Sequence, residues 1–379
     1  MERIYLDHAA TTPLHPLVLN KMTEVQKTTF GNPSSIHSFG RESRKQLDDA
    51  RSILAKSIGA NSDEIVFTSG GTEADNLAIL GTAQAKKSLG KHIITTKIEH
   101  HAVLHTCQYL EKEGFEVTYL SPDDKGEISL DSVKAALRPD TILVTIMYGN
   151  NEVGSLQPIK EIASLLEAHQ AIFHTDAVQA YGVKSIDVTE LGVDLLSVTA
   201  HKVSGPKGIG FLYIKTDTGI TSLTYGGEQE RKRRAGTENL PAIVGFSEAV
   251  LLAMEGLEKK VEFFRHLKDT LIKALESEQI DWSINGAENS LPHILNISFP
   301  KTDVESLLVN LDLVGIAASS GSACTAGSVE PSHVLVAMFG SNSDRIRNSI
   351  RFSFGIDNTE EQIVKAGKEI AKIVRRFQN

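Results

Sequence analysis

An acid and a lysine stand at the ends of two apolar runs. Asp176 closes AIFHTD, and Lys202 follows DLLSV in the stretch SVTAHKVSGPKGIG. Placed at strand ends, the two can face one ligand from neighbouring loops. A lysine that condenses with a carbonyl must be neutral part of the time, which requires burial or a nearby cation. An aspartate that keeps a pyridine nitrogen protonated is the partner that pyridoxal phosphate needs as an electron sink. The competing reading of Lys202 is a solvated loop lysine, and Lys207 in the glycine-rich GPKG is a rival in surroundings more like a turn.

Four further constellations carry chemistry-bearing residues. In TSGGTEADN, Thr68 to Asn76, two glycines and hydroxyls follow the run IVF. Such a strand-to-helix turn can aim free N–H groups and the Thr72 hydroxyl at a phosphate, or it can be an ordinary capping turn with Glu73 and Asp75 in the first helical turn. No Walker pattern and no GxGxxG accompanies it. In IEHHAVLHTC, His101 and His105 lie four apart on one helical face, the arrangement a metal hydrolase would use, with His100 and Cys107 nearby. The HExxH spacing is missing and Cys107 falls in an apolar stripe with Leu104 and Leu110, so Cys107 is read as a packing residue and no metal is expected. A single histidine at the start of this helix can instead stack on a planar cofactor and move protons.

The segment SSGSACTAGS, Ser319 to Ser328, is almost entirely small residues around Cys324. A cysteine in such a loop is open to reactants, whereas most free cysteines are buried and inert; small polar neighbours favour the reactive thiol. The basic run Arg231 to Arg234 in GGEQERKRRAGTEN has no interleaved aromatics. It reads as a solvated or subunit-contact loop rather than a nucleic-acid patch.

The elements that must position these residues are legible between Ile65 and about Ile214. The runs IVF, IITT, EVTYL, ILVTIM, AIFHTD, DLLSV and GFLYI alternate with helical patterns, which predicts an α/β layer with a mostly parallel sheet. Several runs are apolar throughout, as expected of strands covered on both faces. A helical pattern from Pro241 to about Ser277 is too long for one average helix and places a domain boundary near Glu255. Beyond Trp282, the runs ILNISF and SIRFSF with the patterns VESLLVNLDL and TEEQIVKAGKEIAKIVRRF describe a smaller α+β unit.

At 379 residues the chain allows two or three domains at roughly 150 residues each. Its 41% apolar and 23% charged residues exclude wholesale disorder and a coiled coil. A net charge of -9, from 39 basic against 48 acidic residues, argues against direct nucleic-acid partners and against anionic membranes. No export signal or apolar run of membrane-spanning length is read, and two distant cysteines without CxxC spacing point to a reducing cytoplasm.

Taken together and in order, LDHAATT, GNPSSIHSFGR, FTSGGTEADN, EHHAV, NNEVG, HTDAVQ, AHK, GGEQERKRRAGTEN, SSGSAC and SIRFSFG resemble one family. They are similar to the cysteine desulfurases among the class V aminotransferase-like pyridoxal phosphate enzymes, from Tyr5 to the last helix. The SSGSAC loop resembles the housekeeping branch that supplies iron–sulfur clusters and thiolated RNA. The resemblance implies a fold-type I transferase. A large domain over residues 16–255 would carry a mostly parallel seven-stranded sheet, and residues 1–15 with 256–379 would form the small domain bearing the cysteine loop.

Carried over by position, the resemblance gives Lys202 the covalent bond to the cofactor and Asp176 the pyridine nitrogen. Gln179 would bond the phenolic oxygen, and His100 would stack on the ring. Gly71, Thr72, Thr199 and His201 would hold the phosphate, with Thr237 reaching over from the partner of a homodimer. Asn151 and Arg351 would meet the substrate L-cysteine, Arg351 through its carboxylate. Cys324 would take the sulfur as a persulfide and pass it to a protein acceptor, an iron–sulfur scaffold or a tRNA thiolation enzyme, with His100 shuttling protons. Selenocysteine lyase or class V aminotransferase is the alternative activity. Thr199 and Ala200 stand where many relatives carry Ser-Gly, and the sequence stops at Asn379 without the longer tail that some relatives use to dock a scaffold.

Overall fold

The computed structural model describes residues 3–321 and 331–378, so Cys324 lies outside the described residues. After a short strand β1 (Ile4–Tyr5), seven strands make one sheet: β2 (Ile65–Thr68), β3 (His92–Thr96), β4 (Glu116–Leu120), β5 (Thr141–Thr145), β6 (Ile172–Asp176), β7 (Leu195–Thr199) and β8 (Gly210–Ile214). These are the seven runs read from the sequence. Their order is β2-β8-β7-β6-β5-β3-β4. Strands β3 to β7 run parallel, and β8 runs antiparallel to both β2 and β7. The reason lies in the connections: residues 200–209 between β7 and β8 are too few for the helical crossover a parallel return needs.

Every residue of β2, β3, β5, β7 and β8 is buried, which explains their unbroken apolar character: helices cover both faces. The edge strand β4 alternates more and exposes Glu116. The helix Gly71–Lys86 packs across β5 to β8 and starts directly beyond β2. The long helical pattern breaks at Glu255 and Gly256 into two helices, Leu240–Met254 and Leu257–Glu276, bent by 75°. Gly256 adopts φ +66 there, a left-handed conformation that glycine reaches without steric cost. No single helix among the described residues is long and apolar enough to cross a membrane.

Beyond that bend, β9 (Ser283–Asn285), β10 (Ile294–Ser298) and β12 (Ser349–Ser353) form an antiparallel sheet, while β1 pairs in parallel with β11 (Ile316–Ala317). The apolar interior gathers into two large clusters and smaller ones. One large cluster joins Leu47, Phe67, Phe173, Phe211 and Phe246; another joins Leu6, Phe264, Leu295, Phe352 and Val374. Ile4 and Leu6, near the start of the chain, thus pack with residues of its last third.

Candidate active site

The C-terminal ends of the parallel strands open into a cavity of about 340 Å³. Its wall includes Gly71, Thr72, Asp75, His100, Asn151, Asp176, Gln179, Thr199, His201, Lys202, Ser319, Gly321 and Arg351. Residues spread over most of the sequence are therefore brought to one space by the strand order. The alternating elements deliver them: Asp176 ends β6, Thr199 ends β7, and Lys202 closes the short turn Ala200–Lys202 beyond it.

Lys202 is the lysine at this cavity. Its Nζ donates to the carbonyl of Ala10 at 2.8 Å and to that of Ala9. Burial, and then the charge of Arg351, hold its pKa down to about 8 against the opposing pull of Asp7 and Asp176. Lys207 is exposed and lies outside this wall, on the rim beyond Thr72 and His201. Asp176 is 6% exposed and accepts from the N–H of Val178 at 2.9 Å. Burial raises its pKa, and its neighbour Asp75 is raised too, by burial and by the charge of Asp176. Gln179 donates to the Ala9 carbonyl at 3.0 Å.

In the TSGGTEADN turn Glu73 reaches back to accept from the N–H of Ser69 at 2.7 Å, just before the helix start, while Gly71 and Thr72 face the cavity. A Cβ at Gly71 would lie 2.9 Å from Val178 Cγ2, so the turn can approach the Asp176 loop only without a side chain. Thr199 donates to the Ile209 carbonyl at 3.3 Å, and the ring of His201 meets Thr11 Oγ1 at 3.2 Å.

His100 caps the helix His101–Lys112, its Nδ1 accepting from the N–H of Ala102 at 3.1 Å. The residue lines the cavity wall and is exposed to solvent. Desolvation of the ring, and then the charges of Lys202, His101, His333 and His105, push its pKa down to about 4, so it is a neutral imidazole near pH 7. The rings of His101, His105 and His333 approach one another at 5.0 and 4.7 Å. Among the described residues, however, no group of three or more histidine, cysteine or acidic side chains is arranged to hold a metal ion. Cys107 is fully buried among Ile79, Ile93, Val103 and Leu110, and burial pushes its thiol pKa up.

Arg351 stands on β12, 3% exposed, with a guanidinium already engaged: Nη2 meets Asp7 Oδ1 at 2.7 Å and Nη1 donates to the Asn151 carbonyl at 2.8 Å. Among the described residues its Nε has no hydrogen-bond partner. To grip a carboxylate with two bonds, Arg351 must exchange one of these contacts. Its backbone exchanges hydrogen bonds with Ser319, at 2.6 and 3.2 Å. The root of the SSGSAC segment is thus fastened to this arginine, and the described chain reaches Gly321 in the cavity wall, three positions before Cys324.

Thr237 is exposed and is not brought into this wall. The loop that carries it is held to the sheet by its own ion pairs. Arg51 pairs with both oxygens of Glu230 at 2.7 Å, Phe67 N–H donates to Glu230 at 2.9 Å, and Arg234 meets Glu73 at 2.7 Å. Arg231, Lys232 and Arg233 face Asp63, Glu228 and the Asp63 carbonyl. Glu230, Arg231 and Lys232 adopt φ of 47, 56 and 66, a left-handed run that costs non-glycine residues energy and is imposed by these bonds. Glu230→Ala will strand Arg51 and cost about 3–5 kcal/mol of stability, read by chemical denaturation. An unchanged midpoint would show that the pair does not hold the loop.

Four wall or support residues had no assigned role in the sequence: Asp7, Asp75, Glu99 and Glu152. Glu99 and Glu152 are each 1% exposed or less. Glu99 accepts from the N–H of Met147 at 3.0 Å, and burial pushes its pKa up to about 8. No local signal marks Asp7, whose partner Arg351 is 344 positions away. Asp75 had a signal, an acid one helical turn beyond the glycines, and it reads equally as a helix-start residue.

A seven-stranded, mostly parallel sheet with a lysine and an acid at its strand ends is the frame of the fold-type I pyridoxal phosphate enzymes, and the family model for aminotransferase class-V matches residues 4–365. IscS 1 of Bacillus subtilis (strain 168) is 60% identical over 378 residues, covering 100% of both chains. A protein named cysteine desulfurase IscS from Dictyoglomus turgidum is 48% identical over 375 residues, 99% of this chain and 95% of the relative. Among solved structures, a NifS-like protein superposes with a TM-score of 0.92 at 36% identity, covering 99% of this chain and 100% of that one. The chain belongs to the aminotransferase class-V family, in its cysteine desulfurase branch, whose members depend on pyridoxal phosphate.

Proposed function

We propose that this chain converts L-cysteine to L-alanine and carries the sulfur on Cys324 to protein acceptors. The observation that supports it most is the single cavity in which Lys202, Asp176, Gln179 and Arg351 converge beside the root of the SSGSAC segment. The cavity suits a phosphorylated pyridine. Glycine backbone, Thr72, Thr199 and His201 line one side, an acid lies at the end of β6, and Arg351 Nε has no hydrogen-bond partner among the described residues. Bound there, pyridoxal phosphate supplies an electron sink that lets the α-proton of an amino acid leave.

The chain's own residues do the rest. Lys202, with a lowered pKa, would hold the cofactor covalently and, when free, take the α-proton at its Nζ. Asp176 would face the pyridine nitrogen, Gln179 the phenolic oxygen, and neutral His100 would lie against the ring, able to accept and return a proton at its imidazole. Arg351, with Asn151 beside it, orients the substrate carboxylate. The Cys324 thiolate attacks the substrate sulfur; the carbon–sulfur bond breaks, a sulfur–sulfur bond forms, and the carbon takes a proton to become the methyl group of alanine. Thiol reductant or an acceptor protein then removes the outer sulfur.

Removing the imidazole in His100→Ala will lower the rate of alanine formation by roughly 10² to 10⁴, the span of a lost general acid or base. An unchanged rate would take the proton role away from His100. The reading itself is tested by mixing the purified protein with L-cysteine and a thiol reductant and measuring alanine and sulfide in the same tube. Equal amounts of both are expected; keto acid instead of alanine would favour a transaminase.

The same reading includes a cytoplasmic homodimer in which Thr237 of each subunit completes the phosphate site of the other. In support, Phe30, Ile36 and Phe39 stand in the open, Ile36 at 92% exposure, a patch that a second copy would cover. It includes sulfur supply to iron–sulfur assembly and to tRNA thiolation. It also divides the chain into residues 16–255 and 1–15 with 256–379, a division the two apolar clusters support.

A further inference from the structure

Lys202 also lines a second cavity, of about 170 Å³. Only Gln179 and Lys202 are common to its wall and that of the first. Its body is apolar, with Val183, Leu252, Phe264 and Phe354 in the wall. Set into that wall are Lys260 and His293. Lys260 donates to the Ala253 carbonyl at 2.7 Å and makes no ion pair among the described residues. His293 is 7% exposed, and among the described residues its Nδ1 has no hydrogen-bond partner.

The tautomer of His293 follows from its neighbour. The Gln179 amide nitrogen is committed to the Ala9 carbonyl, so its Oε1 faces His293 Nε2 at 3.4 Å and the ring proton sits on Nε2. His293 Nδ1 is then a buried acceptor without a donor, an expensive state unless something in the cavity supplies one. The positive charges acting on His293 are the ammonium groups of Lys268, Lys202 and Lys260. His8, also in the wall, has its pKa pushed down to about 4 by burial and is neutral near pH 7, and neither of its ring nitrogens has a hydrogen-bond partner among the described residues. His15, Tyr181 and Asp357 are the remaining titratable groups in the wall, and Asp357 is exposed. A wall with ammonium groups, unpartnered imidazole nitrogens and an apolar body calls for an acid whose proton is shared with His293 Nδ1.

We propose that this cavity binds a small monocarboxylic acid with a body of roughly four to six carbons, a size that cavities of this volume admit. The carboxylate takes up one proton from solvent on binding. That proton lies between the acid and His293 Nδ1, and the second oxygen accepts from the Lys260 ammonium. The proposal does not rest on the desulfurase reading, because the groups that hold the acid lie outside the first cavity.

The test is saturation-transfer NMR of butanoate with the purified holoenzyme. Binding should be at least tenfold tighter for butanoate than for butan-1-ol, and tighter at pH 6 than at pH 8. Leu252→Trp, which fills the cavity, should abolish it. Lys260→Met should weaken it at least tenfold and leave a smaller but persistent preference for pH 6, because the shared proton remains while the Lys260 ammonium, its pKa held down to about 8 by burial, no longer contributes. Melting curves check that both variants fold; Lys260→Met decides alone if Leu252→Trp does not. Butanoate that binds Lys260→Met as it binds the parent, that survives in folded Leu252→Trp, or that is matched by butan-1-ol would overturn the proposal. Signal that disappears on adding L-alanine but not in Leu252→Trp would place the acid against Arg351 instead, and overturn it equally.

Discussion

Lys202→Ala will make no detectable alanine over repeated turnovers, a loss of at least ~10⁴-fold, at or beyond the upper end of what a lost acid or base costs. Lys202 serves twice, as the covalent tether and as the α-proton acceptor, and nothing else in the cavity wall is an amine. Lys207 cannot substitute from its exposed position on the rim. Multiple turnover in the variant would transfer both roles to Lys207. A companion measurement uses the cofactor-free protein and an amine-acylating reagent. Burial holds the Lys202 ammonium down to about 8 from an ordinary value of 10.5, so below pH 8 it is protonated and inert, and above it the neutral amine reacts. The labelling rate of Lys202 will therefore rise through about pH 8, two units before that of an exposed lysine. A midpoint near 10.5 would mean that the site does not activate this amine.

Cys324→Ala will cut sulfide release from L-cysteine by on the order of 10³-fold or more, the scale at which a lost enzyme nucleophile is felt. No persulfide should form on the variant, as mass spectrometry of the protein after a single turnover can show. The fold and the cofactor bond to Lys202 should be unaffected, because Lys202, Asp176, Gln179 and Thr72, the groups assigned to the cofactor, are left in place. This substitution separates the persulfide route from a lyase or transaminase, neither of which needs the thiol. Intact sulfide release in Cys324→Ala would reject the persulfide route while leaving the family membership untouched.

The seven sheet strands were legible because each is a short apolar run bounded by turn residues, and burial on both faces removes the alternation that would blur them. The direction of β8 was not legible. It follows from a connection too short for a crossover, a constraint visible only once β7 and β8 are known neighbours. Cys107 and the histidines of EHHAVLHTC show the same division. The apolar stripe predicted where Cys107 points, whereas the approach of His333 to His101 joins positions 232 apart in sequence.

By itself the sequence determined which residue types exist to do the chemistry: a lysine and an acid at strand ends, a glycine turn, a cysteine among small residues. It also determined the sheet that carries them, because local patterning of apolar residues is enough to specify strands. Tertiary structure alone decided which lysine faces the acid, and that Asp7 occupies the guanidinium of Arg351. It alone decided that Asp75 sits buried beside Asp176 and that Lys202 also lines a second cavity. The physical reason is that charge, burial and pKa depend on what lies within a few ångströms in space, and the strand order brings together residues that the chain separates by hundreds of positions.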